Sequence, residues 1–185
     1  MKKLIILLLA LLGILIGCSH EEILEYNMFY RYENNEYIDI NFYKNGSEEN
    51  ANDILCLIDY WNTMLDHEHV NDTKNNLAAL NVNKYATLDA KLVELIEYTI
   101  DLSTSYKVVN PLYGTLKDLW DLHMITEELP TENECLTQIE VSLSTRVAIN
   151  DNDVHLLGDG LIDLDYIKKG FIGEKIKEYL ISKGI

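Results

Sequence analysis

The chain has 185 residues and a formal net charge of −16, from 15 Lys and Arg against 31 Asp and Glu. This excess of acidic residues excludes nucleic acid as an expected partner, because a phosphate backbone repels an acidic surface. The length suffices for one domain with a hydrophobic core, and three cysteines are too few for a disulfide scaffold.

The N-terminal segment, residues 1–17, is predicted to be a lipoprotein signal peptide. Two lysines follow the first Met, and the apolar run at residues 4–16 is too short for a transmembrane helix. Gly17 and Cys18 follow this run, and the resulting sequence Leu-Ile-Gly-Cys at residues 15–18 is typical of a bacterial lipobox. We expect a lipid on Cys18 to hold the chain outside the cytoplasm, on a bacterial membrane. The mature chain, with a net charge of −18, would begin with an acidic tether at residues 18–27.

Two elements are predicted next. Residues 37–43 alternate apolar and polar side chains, which predicts a half-buried strand that ends at Asn45-Gly46. Ser47 is expected to cap a helix with apolar residues every three or four positions. This face comprises Ala51, Ile54, Leu55, Ile58, Trp61 and Leu65. Cys56 lies in the same helix and is expected to be a buried thiol; the alternative is a disulfide bond between Cys56 and Cys135.

The middle of the chain is predicted to be helical. A short helix is expected at residues 74–80, and Thr87 is expected to cap a longer one. The apolar face of the longer helix comprises Leu88, Leu92, Leu95, Ile96, Thr99 and Leu102. Asn110-Pro111 interrupts regular structure, and residues 113–121 follow as a further helix.

The C-terminal part is predicted to be mixed. Pro130-Thr131 with Glu134 predicts a capping box and a helix to about Ser144. Short strands are expected at residues 146–149, 155–157 and 161–164. An amphipathic helix then ends at Gly184. This order of elements predicts a single α+β domain over residues 28–185, with a mixed sheet and packed helices.

Common catalytic patterns give little guidance. His67-Glu68-His69 resembles a chelating pair, but no further Cys or His at ligand spacing supports it, so a solvated loop is favoured. The chain has no G-x-S-x-G sequence and no glycine-rich phosphate loop.

Three segments together resemble the ApbE-type flavin transferases, which are FAD:protein FMN transferases. Residues 161–174, LIDLDYIKKGFIGE, resemble the family's D-L-G-G-I-A-K-G-Y-A-x-D, with Asp163 at the first position of that signature. Residues 76–81, NLAALN, resemble S-x-L-S-R-L-N. Residues 105–111 resemble T-x-G-x-F-D-P-T, which a tryptophan follows in the family and Trp120 follows here. The predicted strand at residues 37–43 and the helix after it are similar to the family's first strand and helix, and these four matches occur in the family's order.

The resemblance implies a reaction and a set of binding residues. Such enzymes transfer FMN from FAD to a threonine of an extracytoplasmic protein with the help of Mg²⁺, so FAD and a flavoprotein acceptor are the implied partners. The residues implied to bind FAD are Asn81, Asn110, Lys169 and Gly170. The backbone carbonyl of Lys168 is implied to bind the metal, and no residue is assigned a catalytic role.

The chain also departs from the family's pattern. Asn110 replaces an aspartate of the family's pattern, Asp165-Tyr166 replace a pair of glycines, and Glu174 replaces an aspartate. The family's later half, which carries its other metal ligands, is expected to be missing. We therefore expect a chain truncated relative to the family, with reduced or no transferase activity. The alternative is a non-catalytic, membrane-anchored surface lipoprotein that binds a protein partner.

Overall fold

A computed structural model of the chain describes residues 26–31, 37–106 and 109–185. The predicted signal peptide, Cys18 and most of the predicted tether lie outside these ranges. Six helices and five strands occur within them, and none of these helices is long and apolar enough to cross a membrane. The chain divides into two units: residues up to Asn52 together with Gly184–Ile185, and Asp53–Lys183.

The first unit contains a β-hairpin. Strand β1 (Tyr26–Arg31) pairs antiparallel with β2 (Tyr37–Phe42), and Tyr26 lies opposite Phe42. The prediction of β2 is therefore confirmed. Strand β1 begins at Tyr26, inside the segment predicted to be a tether. The sequence of this segment has no strand periodicity, and the strand forms because β2 supplies its hydrogen-bond partners.

The helices carry most of the core. They are α1 (Glu48–Met64), α2 (Leu77–Asn83), α3 (Ala90–Ser105), α4 (Gly114–Thr126), α5 (Glu132–Ser144) and α6 (Asp165–Lys183). The first five residues of α2 are buried, and the predicted apolar faces of α1 and α3 are buried along most of their length. Trp61 of α1 packs edge-on against Phe171 of α6, with ring centroids 4.8 Å apart.

The helix caps correct one prediction and confirm another. Asp89, rather than Thr87, caps α3, and its carboxylate accepts from the Lys91 N–H at 2.8 Å. Thr87 instead ends an unpredicted strand, β3 (Tyr85–Thr87), because its backbone pairs with another strand. The capping box between Thr131 and Glu134 at the start of α5 is present as predicted.

The second unit contains a three-stranded antiparallel sheet. Its order is β3, β5 (Asp153–Leu157), β4 (Arg146–Asn150). The strand predicted at residues 161–164 does not form, and its only pairing within the described chain is a parallel bridge from Leu161 to Tyr113. The α+β class is as predicted, and the parallel component of the sheets is limited to this bridge.

The cysteines differ from the prediction. Cys56 is free and exposed, and Cys135 is free and partly buried. The prediction of a buried thiol at Cys56 is wrong because this residue lies two positions from the buried Ile54. Two steps along a helix turn a side chain by about 200°, which places Cys56 on the solvent side.

Candidate functional site

The side chain of Asn81 fixes the segment that leads into the last helix. Asn81 is buried at the end of α2, where its Oδ1 accepts from the Ile162 N–H at 2.8 Å. Its Nδ2 donates to the Ile162 carbonyl at 2.9 Å. Because an amide side chain presents a donor and an acceptor side by side, it can pair with extended backbone as a neighbouring strand would. The contact with FAD predicted for Asn81 stays a prediction.

The start of α4 fixes the same segment from a second direction. The Asp163 N–H donates to the Pro111 carbonyl at 2.9 Å, and the Gly114 N–H donates to the Leu161 carbonyl at 3.1 Å. A Cβ atom on Gly114 would lie 2.8 Å from that carbonyl oxygen, so this approach requires glycine. Residues 161–163 are therefore bonded to two other elements of the same unit.

The loop after α1 is fixed by its own polar side chains. The Asp66 carboxylate accepts from the N–H groups of Glu68 and His69, and these bonds lower its pKa although burial opposes them. Asn76 is fully buried and donates to the carbonyl of His69 at 2.8 Å. The side chain of His69 is exposed, whereas only 6% of the His67 side chain is exposed. The prediction of a solvated loop is therefore wrong for His67.

These two fixed segments bring an imidazole and two carboxylates together. His67 Nδ1 lies 3.8 Å from Asp163 Oδ1 and 4.0 Å from Asp165 Oδ2. On the other side of the ring, His67 Nε2 lies 3.4 Å from Lys117 Nζ of α4 and 3.6 Å from Glu68 Oε1. We call His67, Asp163 and Asp165 the His67 cluster.

Lys117 is surrounded by carboxylates. Its Nζ lies 2.8 Å from Asp121, 3.6 Å from Asp165 and 3.9 Å from Glu68. Burial lowers the pKa of Lys117, but the hydrogen bond to Asp121 and the nearby carboxylate charges outweigh this effect and raise the pKa overall. Burial raises the pKa of Asp163, and the hydrogen bond from the Asp165 N–H only partly offsets this effect.

A hollow of about 330 Å³ opens beside these residues. We call it the Trp120 pocket. Its walls are Val109, Asn110, Tyr113, Leu116, Lys117, Trp120, Asp163 and Tyr166. The side chain of Asn110 is oriented by a hydrogen bond in which the Leu112 N–H donates to Asn110 Oδ1 at 3.0 Å. Three positions that carry the family resemblance, Asn110, Trp120 and Asp163, therefore line one pocket.

The other predicted site residues lie on α6. Lys168 lies in the first turns of the helix, where its N–H donates to the Leu164 carbonyl at 3.0 Å. Lys169 is exposed, and Gly170 lines a second hollow of about 380 Å³ between α3 and α6. A Cβ atom on Gly170 would meet no atom of the described chain within 4 Å. The binding roles predicted for Lys168, Lys169 and Gly170 stay predictions.

Sequence reasoning missed His67, Lys117 and Asp165 as members of a site. Lys117 occupies an ordinary position on an amphipathic helix, and Asp165 was noted only as a replacement for a family glycine. His67 is distant in sequence from the two aspartates, and no local spacing connects them. Two signals were available: the chelating pattern His67-Glu68-His69, which lacked further ligands at suitable spacing, and the pair of acidic residues in Asp-Leu-Asp at the start of a helix.

Comparison with known proteins identifies the family. The model of the ApbE family matches residues 37–185, and the chain belongs to this family. Its structure is similar to the crystal structure of the ApbE protein from Thermotoga maritima MSB8, with a TM-score of 0.70 and 16% sequence identity. The match covers 85% of this chain and 52% of that one, so the chain spans about half the length of the solved protein. No curated protein matches in sequence. The resemblance seen in the motifs is confirmed, and this structural likeness supports the fold alone.

Replacement of Asn81 tests the connection between α2 and the site. We expect Asn81→Ala to lower the free energy of unfolding by about 1–3 kcal/mol, because both backbone groups of Ile162 lose a buried partner. Hydrogen exchange of the Ile162 amide should become faster. Asn83→Ala, at the exposed end of α2, is the control and should leave both quantities nearly unchanged. Equal exchange at Ile162 in the two variants would contradict the role of Asn81.

Proposed function

We propose that this chain binds FAD, with one ring system of the dinucleotide in the Trp120 pocket, as part of an FAD:protein FMN transferase. The observation that carries the proposal is the convergence of Asn110, Trp120 and Asp163 on one pocket. Asn110 and Trp120 belong to one match with the family's sequence, and Asp163 belongs to another about 50 residues later in the chain. Membership of the ApbE family supports FAD as the ligand and Mg²⁺ as the ion that accompanies it.

The pocket suits a flat aromatic ligand. Tyr113, Trp120 and Tyr166 supply aromatic walls, and Trp120 is 43% exposed, so its ring is accessible. Aromatic side chains stack on flat conjugated rings. A volume of about 330 Å³ is near the lower end of ligand sites, which run from about 300 to 1,000 Å³. It therefore fits one ring system better than a whole dinucleotide.

Charge argues against the diphosphate lying in the same pocket. Lys117 is already paired with Asp121 and lies close to Asp165. Asp165 is also the first residue of α6, so its carboxylate occupies the end of the helix that would otherwise attract an anion. A diphosphate there would meet net negative charge, and a divalent cation would be needed to offset it.

The residues of this chain would act mainly by binding and orienting. FAD, when bound, would supply the diphosphate bond that breaks: its FMN group would move to a threonine hydroxyl, and AMP would leave with the hydroxyl proton. Trp120 and Tyr113 would hold the ring by stacking, and Asn110, with its Oδ1 bonded to Leu112, would present its Nδ2 to a ring acceptor. The Lys168 carbonyl is a single oxygen, and Mg²⁺ takes six ligands. This carbonyl would therefore contribute to a metal site without forming one.

The Trp120 pocket can be tested by calorimetry. Titration of the purified chain with FAD, with and without Mg²⁺, should give saturable heat. Trp120→Ala should weaken binding roughly two- to twelvefold, because an aromatic contact contributes about 0.5–1.5 kcal/mol beyond its buried area. Trp61→Phe is the control, since Trp61 is buried in the core. Absence of heat at high protein concentration would reject FAD binding and favour a non-catalytic surface lipoprotein.

Two glycines of α6 test the predicted role of Gly170. Both Gly170 and Gly173 have open space where a Cβ would lie, so alanine at either position should leave the fold intact and stabilise the helix by roughly 0.5–1 kcal/mol. If FAD approaches Gly170, only Gly170→Ala weakens its binding. Equal affinities of the two variants would remove Gly170 from the FAD site.

We also propose that the chain is attached to the outer face of a bacterial membrane by a lipid on Cys18, where an extracytoplasmic flavoprotein would be its acceptor. The basic and apolar regions before Cys18 support this location. Cys18→Ser should move the expressed protein from the membrane fraction to the soluble fraction of a bacterial host. Cys56→Ser is the control, because Cys56 lies in α1. Retention of the Cys18→Ser chain in the membrane fraction would contradict lipid attachment.

A further inference from the structure

The His67 cluster has features that flavin binding does not explain. One nitrogen or oxygen atom from each of His67, Asp163 and Asp165 lies within 4.8 Å of the other two. Within residues 26–31, 37–106 and 109–185 it is the one group of three or more His, Cys, Asp or Glu side chains so placed. His67 does not line the Trp120 pocket.

The imidazole of His67 is buried with one nitrogen unused. Only 6% of the side chain is exposed, and Nδ1 faces two carboxylate oxygens at 3.8 and 4.0 Å. These separations are too long for hydrogen bonds, and Nδ1 makes no hydrogen bond with any residue in the described part of the chain. Nδ1 and the two carboxylate oxygens therefore face one another across a gap that a bound ion would bridge.

The spacing suits a shared metal ion. Ligand atoms bound at about 2.0–2.2 Å to one ion lie roughly 3.0–3.4 Å from one another. The distances from His67 to Asp163 and Asp165 are slightly longer than this. Small side-chain rotations would therefore close the site around an ion.

The charges around the cluster also favour a cation. Lys117 is the ammonium group in contact with it, and this group lies near Glu68, Asp121 and Asp165. With Asp163 included, four carboxylates surround a single lysine. The local charge is therefore strongly negative even before any ligand binds.

We propose that His67, Asp163 and Asp165 bind a divalent first-row transition metal ion, such as Mn²⁺, Fe²⁺, Co²⁺ or Zn²⁺. Carboxylates alone would suit Mg²⁺, but an imidazole ligand favours the transition metals. Three protein ligands leave positions open for water or for a ligand oxygen. This site does not require that FAD binds, and its ligands are side chains rather than the carbonyl of Lys168.

The surroundings of His67 can support Nδ1 as the metal-binding atom. When Nδ1 binds a metal, Nε2 carries the proton and needs an acceptor. Glu68 Oε1 lies 3.6 Å from Nε2 and is the nearby carboxylate oxygen for this role. Lys117 already has a short hydrogen bond to Asp121, so it can turn away from His67 without losing its partner.

Cobalt titration tests the site. The full chain, purified in detergent in a Cys56→Ser, Cys135→Ser background and freed of metal by a chelator, is titrated with Co²⁺ and followed by its visible absorption. We expect one ion per chain, with Zn²⁺ displacing Co²⁺ and Mg²⁺ failing to displace it at equal concentration. His67→Gln and Asp165→Asn should each weaken Co²⁺ binding at least about tenfold.

His69 provides the matched control. It lies two residues from His67, but its side chain is 79% exposed and outside the cluster, so His69→Gln should bind Co²⁺ as the parent chain does. Circular dichroism checks that each variant folds, and Asp163→Asn, which keeps an acceptor for the Asp165 N–H, is a second ligand variant. The absence of stoichiometric Co²⁺ binding, or equal loss in the His67 and His69 variants, would overturn the proposal. Flavin binding is measured separately, so either proposal can fail alone.

Discussion

The pairing of Asn81 with the backbone of Ile162 is the interaction on which the site depends. Two hydrogen bonds from one buried side chain hold the backbone of Ile162, although residues 161–164 belong to no strand. The start of α4 holds the same segment through Pro111 and Gly114. Since Asp163 and Asp165 follow directly, their positions relative to α4 and to the loop after α1 are fixed by main-chain contacts. A site assembled in this way needs no catalytic sequence motif.

The residues that differ from the family sequence change the charge and the shape of the Trp120 pocket and its surroundings. Asp165 and Tyr166 stand where the family has two glycines, and they put a carboxylate at the start of α6 and an aromatic wall in the Trp120 pocket. Lys117 is paired with acidic side chains, so its charge does not neutralise an anionic ligand. The result is a pocket with aromatic walls beside a strongly acidic corner. Such a corner favours a cation, and a diphosphate would enter it only together with one.

Much of the fold was predictable because local patterns reflect local physics. The buried faces of α1 and α3, the capping box at Thr131 and the end of α6 before Gly184 follow from side-chain periodicity and terminal hydrogen bonds. The predictions failed where a distant partner decided the structure. Thr87 joins a strand rather than capping a helix, and residues 161–164 bond to a side chain instead of a sheet.

The sequence by itself determined the family and the α+β class, because several motifs occur in the family's order. It also supplied the expectation of a lipid on Cys18. That the motif positions Asn110, Trp120 and Asp163 line one pocket was decided by the tertiary structure. Only the tertiary structure decided that His67 is buried and faces Asp163 and Asp165, and that Lys117 contacts the same group. The reason is that burial and electrostatic environment depend on neighbours brought together by folding. A histidine on a polar loop has the same local sequence whether its ring faces water or two carboxylates.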